Sequence, residues 1–142
     1  MKRHHIGWVG RDIERMRRAF VQEGATVVTD PIADPVQRVL VQFLQEPATG
    51  ELWELVAPLP GAEESPLHAR LARGGGLDHV CWELEAADGT LEDVLGGEVA
   101  RGGRIVCEPV TAAAFGRRIA FVYRRSGRLI ELVEARPPGA PL

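Results

Sequence analysis

At 142 residues the chain has the length of one ordinary domain, enough to bury roughly 70% of its unfolded surface without disulfides or structural metal. Hydrophobic residues at 45% and charged residues at 26% exclude disorder and low complexity, and a net charge of −3 excludes the basic footprint of a nucleic-acid binder. No apolar run approaches the roughly 18 residues of a membrane span, so the sequence reads as cytoplasmic, neither secreted nor membrane-bound.

The first segment, His4 to Val9, is short and apolar, as a strand should be. Asp12 then precedes Ile13, Met16 and Phe20 at helical spacing, which predicts a capped helix ending at Gly24. Three strand-like runs follow, Ala25 to Thr29, Val36 to Leu44 after a Pro31/Pro35 turn, and Glu51 to Ala57. The order is βαβββ. Residues 59–76 form a linker rich in Pro, Gly and Glu, within which Ser65-Pro66 predicts the N-cap and first residue of a short helix ending near Arg73. Gly74-Gly75-Gly76 reads as the source of the linker's freedom. The pattern then restarts with a strand over Leu77 to Leu84, an amphipathic helix over Thr90 to Ala100, and strands over Arg104 to Val110, Arg117 to Tyr123 and Arg128 to Glu134. The modules therefore span residues 4–58 and 77–135, and the proline-rich tail, 136–142, is expected to fray.

Laid over each other, the halves share residues as well as order. His5-Ile-Gly-Trp8 matches His79-Val-Cys-Trp82. Gly24 through Asp30-Pro31 matches Gly102 through Glu108-Pro109, and Gly50-Glu-Leu52-Trp-Glu54-Leu55-Val56 matches Gly127-Arg-Leu129-Ile-Glu131-Leu132-Val133. The chain is a tandem duplication.

Four polar residues stand at equivalent strand positions: His5 and His79 on the first strand of each copy, Glu54 and Glu131 on the last. Strand alternation sets them opposite the apolar face that packs on the helices. A single strand histidine usually satisfies a local hydrogen bond, and a single strand glutamate is usually solvated. Four such residues related by duplication point instead to one shared site. Two imidazoles and two carboxylates suit a borderline divalent ion, Co, Mn, Ni, Zn or Fe. Cys81 and Glu83 share the His79 face, Glu83 being an acidic candidate for catalysis with a solvated strand end as the plainer reading; Gln42 and Tyr123 are further candidates for the cleft. His4 and His68 read as surface residues. Cys81 and Cys107 lie in apolar runs without CxxC spacing and read as reduced thiols. Arg124, Arg125 and Arg128 around the Ser126-Gly127 turn offer either a phosphate contact or a solvated hairpin tip.

These residues resemble the vicinal oxygen chelate superfamily, the glyoxalase, bleomycin-resistance and dioxygenase proteins, and within it the methylmalonyl-CoA epimerases. The likeness lies in His5-Ile6-Gly7, Glu54 through Leu59, Ser65-Pro66, Gly76 through Val80, Gly116 through Phe121 and Leu129 through Leu132. It implies an α+β fold in which tandem βαβββ modules form a curved, half-open mixed sheet with a metal site in the cleft, held by His5, Glu54, His79 and Glu131. It further implies a homodimer and a metal-dependent epimerase or isomerase that removes an α-proton from a 2-substituted malonyl or β-keto thioester, carried on CoA or a carrier protein. In that chemistry Glu131 serves as ligand and base. The sequence departs from the epimerase pattern at Phe115, at Tyr123-Arg124-Arg125, and at Arg38, where a second acidic base is expected. Two alternatives therefore stand: another enzyme of the superfamily, such as a glyoxalase-like isomerase or a tailoring lyase, and a non-catalytic small-molecule-binding or resistance protein.

Overall fold

The computed structural model describes residues 1–61 and 64–142; positions 62 and 63 of the expected linker lie outside the described residues. The chain forms two compact units, one of residues 5–78 and one of residues 1–4 with 79–142. Among the described residues no helix is long and apolar enough to cross a membrane. The fold class is α+β.

In the first unit the elements are β1 (Lys2–Val9, whose first three residues belong to the other unit), α1 (Ile13–Gln22), β2 (Thr26–Val27), β3 (Ile32–Asp34), β4 (Val39–Gln45), β5 (Leu52–Pro58) and α2 (Leu67–Ala72). The strand order is β2-β4-β5-β1, with β3 also on β4. Only β1 and β5 run parallel, Ile6 facing Trp53 and Gly7 facing Glu54. Asp12 caps α1 through a hydrogen bond from the Arg15 amide at 3.1 Å, as its sequence position predicts. Ile13, Met16 and Phe20 then pack with Trp8 over buried Ala25, Leu44 and Leu55.

The second unit repeats the plan with β6 (Gly76–Glu83, of which the last five residues lie in this unit), α3 (Leu91–Ala100), β7 (Arg104–Ala112), β8 (Arg117–Tyr123) and β9 (Leu129–Val133), in the order β6-β9-β8-β7. Its parallel pair is β6 and β9. Thr90 and Asp93 form a reciprocal capping box at the start of α3, and a 3-10 turn at Ala86–Asp88 precedes it. Two apolar clusters lie on opposite faces of these strands. Leu84, Leu91, Leu95, Ala120, Val122, Ile130 and Leu132 join the sheet to α3, whereas Cys81, Ala112, Ile119 and Val133 lie on the other face.

Five expectations are corrected. The strand expected from Val36 begins at Val39, and the expected Pro31/Pro35 turn holds β3: Asp34 accepts hydrogen bonds from the Gln37 amide and side chain, both at 2.9 Å, and closes a turn that ends on Arg38 in the left-handed region, φ 58°. Glu108-Pro109 is not a turn like Asp30-Pro31, because β7 continues through it with shifts of register on either side. Gly75 gives tight packing rather than freedom, since a Cβ there would stand 2.6 Å from the Val9 carbonyl oxygen. The tail is anchored: Arg136 Nε donates to Glu83 at 3.1 Å and Arg117 Nη2 donates to the Leu142 carbonyl oxygen at 2.7 Å. The short helix is found one residue late, with Pro66 at its N-cap and Ser65 Oγ accepting from the Leu67 amide at 3.3 Å.

Candidate functional site

Each unit carries one buried histidine–glutamate pair, built in the same way. In the first unit His5 Nε2 stands 3.0 Å from a Glu54 carboxylate oxygen. Glu54 faces Phe43 in the β4–β5 register, and the Phe43 ring meets the His5 ring edge to face at 5.4 Å. In the second, His79 Nε2 stands 3.3 Å from a Glu131 carboxylate oxygen, Glu131 faces Phe121 in the β8–β9 register, and Phe121 meets His79 edge to face at 5.2 Å. His5, Glu54, His79 and Glu131 are all buried. The phenylalanines are a duplicated part of the arrangement that sequence reading missed. The signal was present, since Val41-Gln-Phe43-Leu matches Ile119-Ala-Phe121-Val at the same offset as Gly24 and Gly102.

Chemically, each pair presents one imidazole nitrogen and one carboxylate oxygen in apolar surroundings. Two donors about 2.1 Å from a single ion and at right angles to each other stand about 3.0 Å apart, so these separations fit neighbouring ligands on a divalent cation. Nitrogen and carboxylate donors without thiolate suit Mn, Fe, Co, Ni or Zn. The residues present therefore fit a metal.

The strand register of the second unit lays out the surroundings in rows. The row through His79 runs to Leu129, Tyr123 and Arg104; the row through Cys81 runs to Glu131, Phe121 and Cys107. Tyr123 thus lies on the Phe121 face. Cys81 is fully buried and Cys107 half-buried, both as free thiols. Burial, together with the Glu131 and Glu108 charges, pushes the Cys107 thiol up, so it stays protonated near neutrality.

Glu83 lies on the His79 face, but its strand end is not solvated. It is fully buried and surrounded by Arg117 Nη1 at 3.0 Å, Arg136 Nε at 3.1 Å and Lys2 Nζ at 3.3 Å. Burial pushes its carboxyl up, but the hydrogen bonds from Arg136 and Arg117 outweigh that and hold it below the usual carboxylate range. A carboxylate so held is a poor base. His4 is likewise not a surface residue: its Nε2 is 3.9 Å from Glu83 and its ring meets Phe115 at 5.2 Å. Phe115 also carries the Arg117 guanidinium over its ring at 5.5 Å, which accounts for an apolar residue at that position. Gln42 does not share the Phe43 face. It alternates with Phe43, and its amide donates to the Thr29 carbonyl at 2.9 Å. Arg38, in its left-handed turn before β4, supplies no acid. His68 is exposed, as expected.

Residues 4–121 match the glyoxalase/bleomycin resistance protein/dioxygenase superfamily. The chain belongs to that superfamily. No curated protein matches it. Among solved structures, a hypothetical protein from Bacillus halodurans C-125 is similar with a TM-score of 0.80 and 25% identity over 97% of this chain and 96% of that one. Methylmalonyl-CoA epimerase from Mycobacterium tuberculosis gives 0.77 and 24% identity, over 95% and 88%. A variant of Streptomyces coelicolor methylmalonyl-CoA epimerase, in complex with 2-nitronate-propionyl-CoA, gives 0.76 and 21% identity over 99% and 96%.

Proposed function

We propose that this superfamily member is a divalent-metal-dependent epimerase or isomerase that removes the α-proton of a 2-substituted malonyl or β-keto thioester. The observation that carries the reading is the duplicated His–Glu–Phe arrangement, its histidine and glutamate buried in both units. A buried polar pair kept in both copies supports their use together. His5, Glu54, His79 and Glu131 would hold one ion between them. Solved relatives of the same fold include epimerases bound to acyl-CoA compounds, which favours a thioester over a free acid.

The bound ion would supply positive charge opposite the carbonyl and carboxylate oxygens of the substrate, making the α-hydrogen acidic. Glu131 accepts that proton on a carboxylate oxygen. Phe121 and Phe43, edge-on to the two imidazoles, keep water from the histidine rings and hold their orientation. Glu83 takes no part in proton transfer in this reading; it fixes the β6 strand end by holding Arg117 and Arg136.

Deuterium incorporation at C2 of methylmalonyl-CoA in D2O, with protein loaded with Co2+ or Mn2+, tests the reading. Exchange should be fast, should stop with chelator, and should fall by a factor of about 100 or more in Glu131→Gln, in line with loss of an acid–base group. His79→Ala and Glu54→Ala should each lower the bound divalent ion per chain. Firm metal binding without exchange would reject this substrate and favour another enzyme of the superfamily. Absence of metal binding, with both variants behaving as the parent, would favour a ligand-binding protein instead.

A further inference from the structure

The first unit contains a cavity of about 580 Å³ on the α1 side of its sheet. Trp8 and Trp53 line it, and by strand alternation both face away from His5 and Glu54, so the cavity is separate from the histidine–glutamate pair of this unit. Phe20 of α1 adds a third ring to the wall. The rings meet edge to face, at 5.8 Å for Trp8 and Phe20, 5.6 Å for Phe20 and Trp53, and 6.3 Å for the two tryptophans. Ligand pockets span roughly 300–1,000 Å³, so this one suits a small molecule with a flat apolar body.

Charge is spread unevenly along this cavity. Arg11, Asp12 and Arg15 lie at the N-terminal end of α1, where Arg11 Nη2 donates to the Leu71 carbonyl oxygen at 3.0 Å and Asp12 is the cap. Glu23, at the C-cap, stands eight residues past Arg15, about 12 Å along the axis at about 1.5 Å per residue. Glu46 lines the same cavity, just past β4. The β2–β4 register, with Thr26 facing Gln45, sets Glu46 beside buried Ala25 and so next to the end of α1. Among the described residues neither Glu23 nor Glu46 has a cation within ion-pair distance.

The duplicate unit carries the reversed charges at these positions. At the offset that pairs Gly24 with Gly102, Phe20, Glu23 and Glu46 correspond to Glu98, Arg101 and Arg124. In the second unit Arg124 donates to the buried Glu98 carboxylate at 2.8 and 3.2 Å, and Arg101 reaches it at 3.1 Å, so the three positions converge on one internal ion pair. In the first unit the two outer positions are carboxylates and the inner one is an aromatic ring, with Trp53 where the second unit has Ile130. A protonated amine on an apolar body complements that set: it donates charge-assisted hydrogen bonds to carboxylates and is attracted to ring faces. We propose that this cavity binds an arylalkyl amine in its protonated form, the ammonium between Glu23 and Glu46 and the aryl body against Trp8, Phe20 and Trp53. The site stands independently of the metal-dependent reading above.

Calorimetric titration with 4-phenylbutylamine, 4-phenylbutanol and 4-phenylbutyrate holds the body constant and varies only the charge. The amine should bind at least tenfold more tightly than the alcohol, with the butyrate weakest, and its advantage should weaken with salt. Its affinity should be the same with and without Co2+, because the cavity lies on the face away from His5 and Glu54. The double variant Glu23→Gln, Glu46→Gln should bring the amine down to the affinity of the alcohol. Alcohol affinity and thermal stability should stay unchanged in that variant, Glu23 being exposed and Glu46 half-buried. Equal binding of amine and alcohol, or an amine advantage that survives the double substitution, would overturn the proposal. Tightest binding by the butyrate would also overturn it and assign the charge preference to Arg11 and Arg15. So would absence of binding by all three probes, and a tryptophan emission that then shifted on dilution would give the cavity to a second copy of the chain.

Discussion

The two units start from one sequence plan and solve their interiors differently. At the end of the first strand the first unit buries Val9 where the second buries Glu83; on the helix it has Phe20 where the second has Glu98; at the start of the hairpin strand it buries Val39 where the second buries Arg117. Apolar packing in one copy is thus matched by buried ion pairs in the other. The histidine, glutamate and phenylalanine of each pair are the same in both. What diverged is the support around the pair, and what stayed is the pair itself, which indicates that the constraint acts on the pairs and not on the way each unit stabilises them.

The sharpest way to break that contrast is to move the apolar solution into the second unit. Glu83→Val leaves Arg117 buried without its carboxylate and should cost about 3–5 kcal/mol in urea unfolding. The double substitution Glu83→Val with Arg117→Val, which copies Val9 and Val39, should recover a large part of that loss, since apolar replacement of a buried pair is often close to neutral. A double variant as unstable as the single would mean that Arg136 and Lys2 depend on Glu83 as much as Arg117 does.

Acid separates the units next. Glu83 and Glu98 are buried yet held below the usual carboxylate range by the arginines beside them, so both bind protons more readily when unfolded. Their stabilisation is complete above the unfolded value of about 4.3 and is lost as pH falls through the lower folded values. Hydrogen exchange followed below pH 4.3 should therefore show protection lost in β6, β8 and β9 before β4 and β5. Simultaneous loss would show that the two units unfold as one cooperative body. The smallest effect belongs to the first unit alone. Arg38→Gly should stabilise by about 1 kcal/mol by relieving the left-handed backbone at φ 58°, an effect with no counterpart in the second unit, where Gly116 already holds a φ of 62° before β8.

Much of this was legible in the chain. The duplication, the two histidines and two glutamates that pair, and the capped helices follow from residue identity and spacing, because strand alternation and helix capping are local rules. The short β3 inside the expected Pro31/Pro35 turn, and the start of β4 at Val39 in place of Val36, were less so. They depend on the Asp34 side chain folding back on Gln37, a hydrogen bond that competes with continuing the strand. Glu108-Pro109 resembles Asp30-Pro31 as letters, yet one lies within a bulged strand and the other in the connection between β2 and β3, since the pairing partner decides whether a strand absorbs a proline.

By itself, then, the sequence determined which residues are offered: two histidines and two glutamates on one strand parity, in two copies, with an apolar helix face opposite. Only the tertiary structure decided how each charge is used. Glu83 changes from a candidate base to an ion-pair centre because Arg117 and Arg136 reach it from far along the chain. Arg124 is withdrawn from the surface by Glu98, while Arg104 is brought over the Tyr123 ring through the β7–β8 register. Local rules of periodicity and capping act within a few residues. The partners of a buried charge come from wherever the sheet brings strands together, and no spacing along the chain records that.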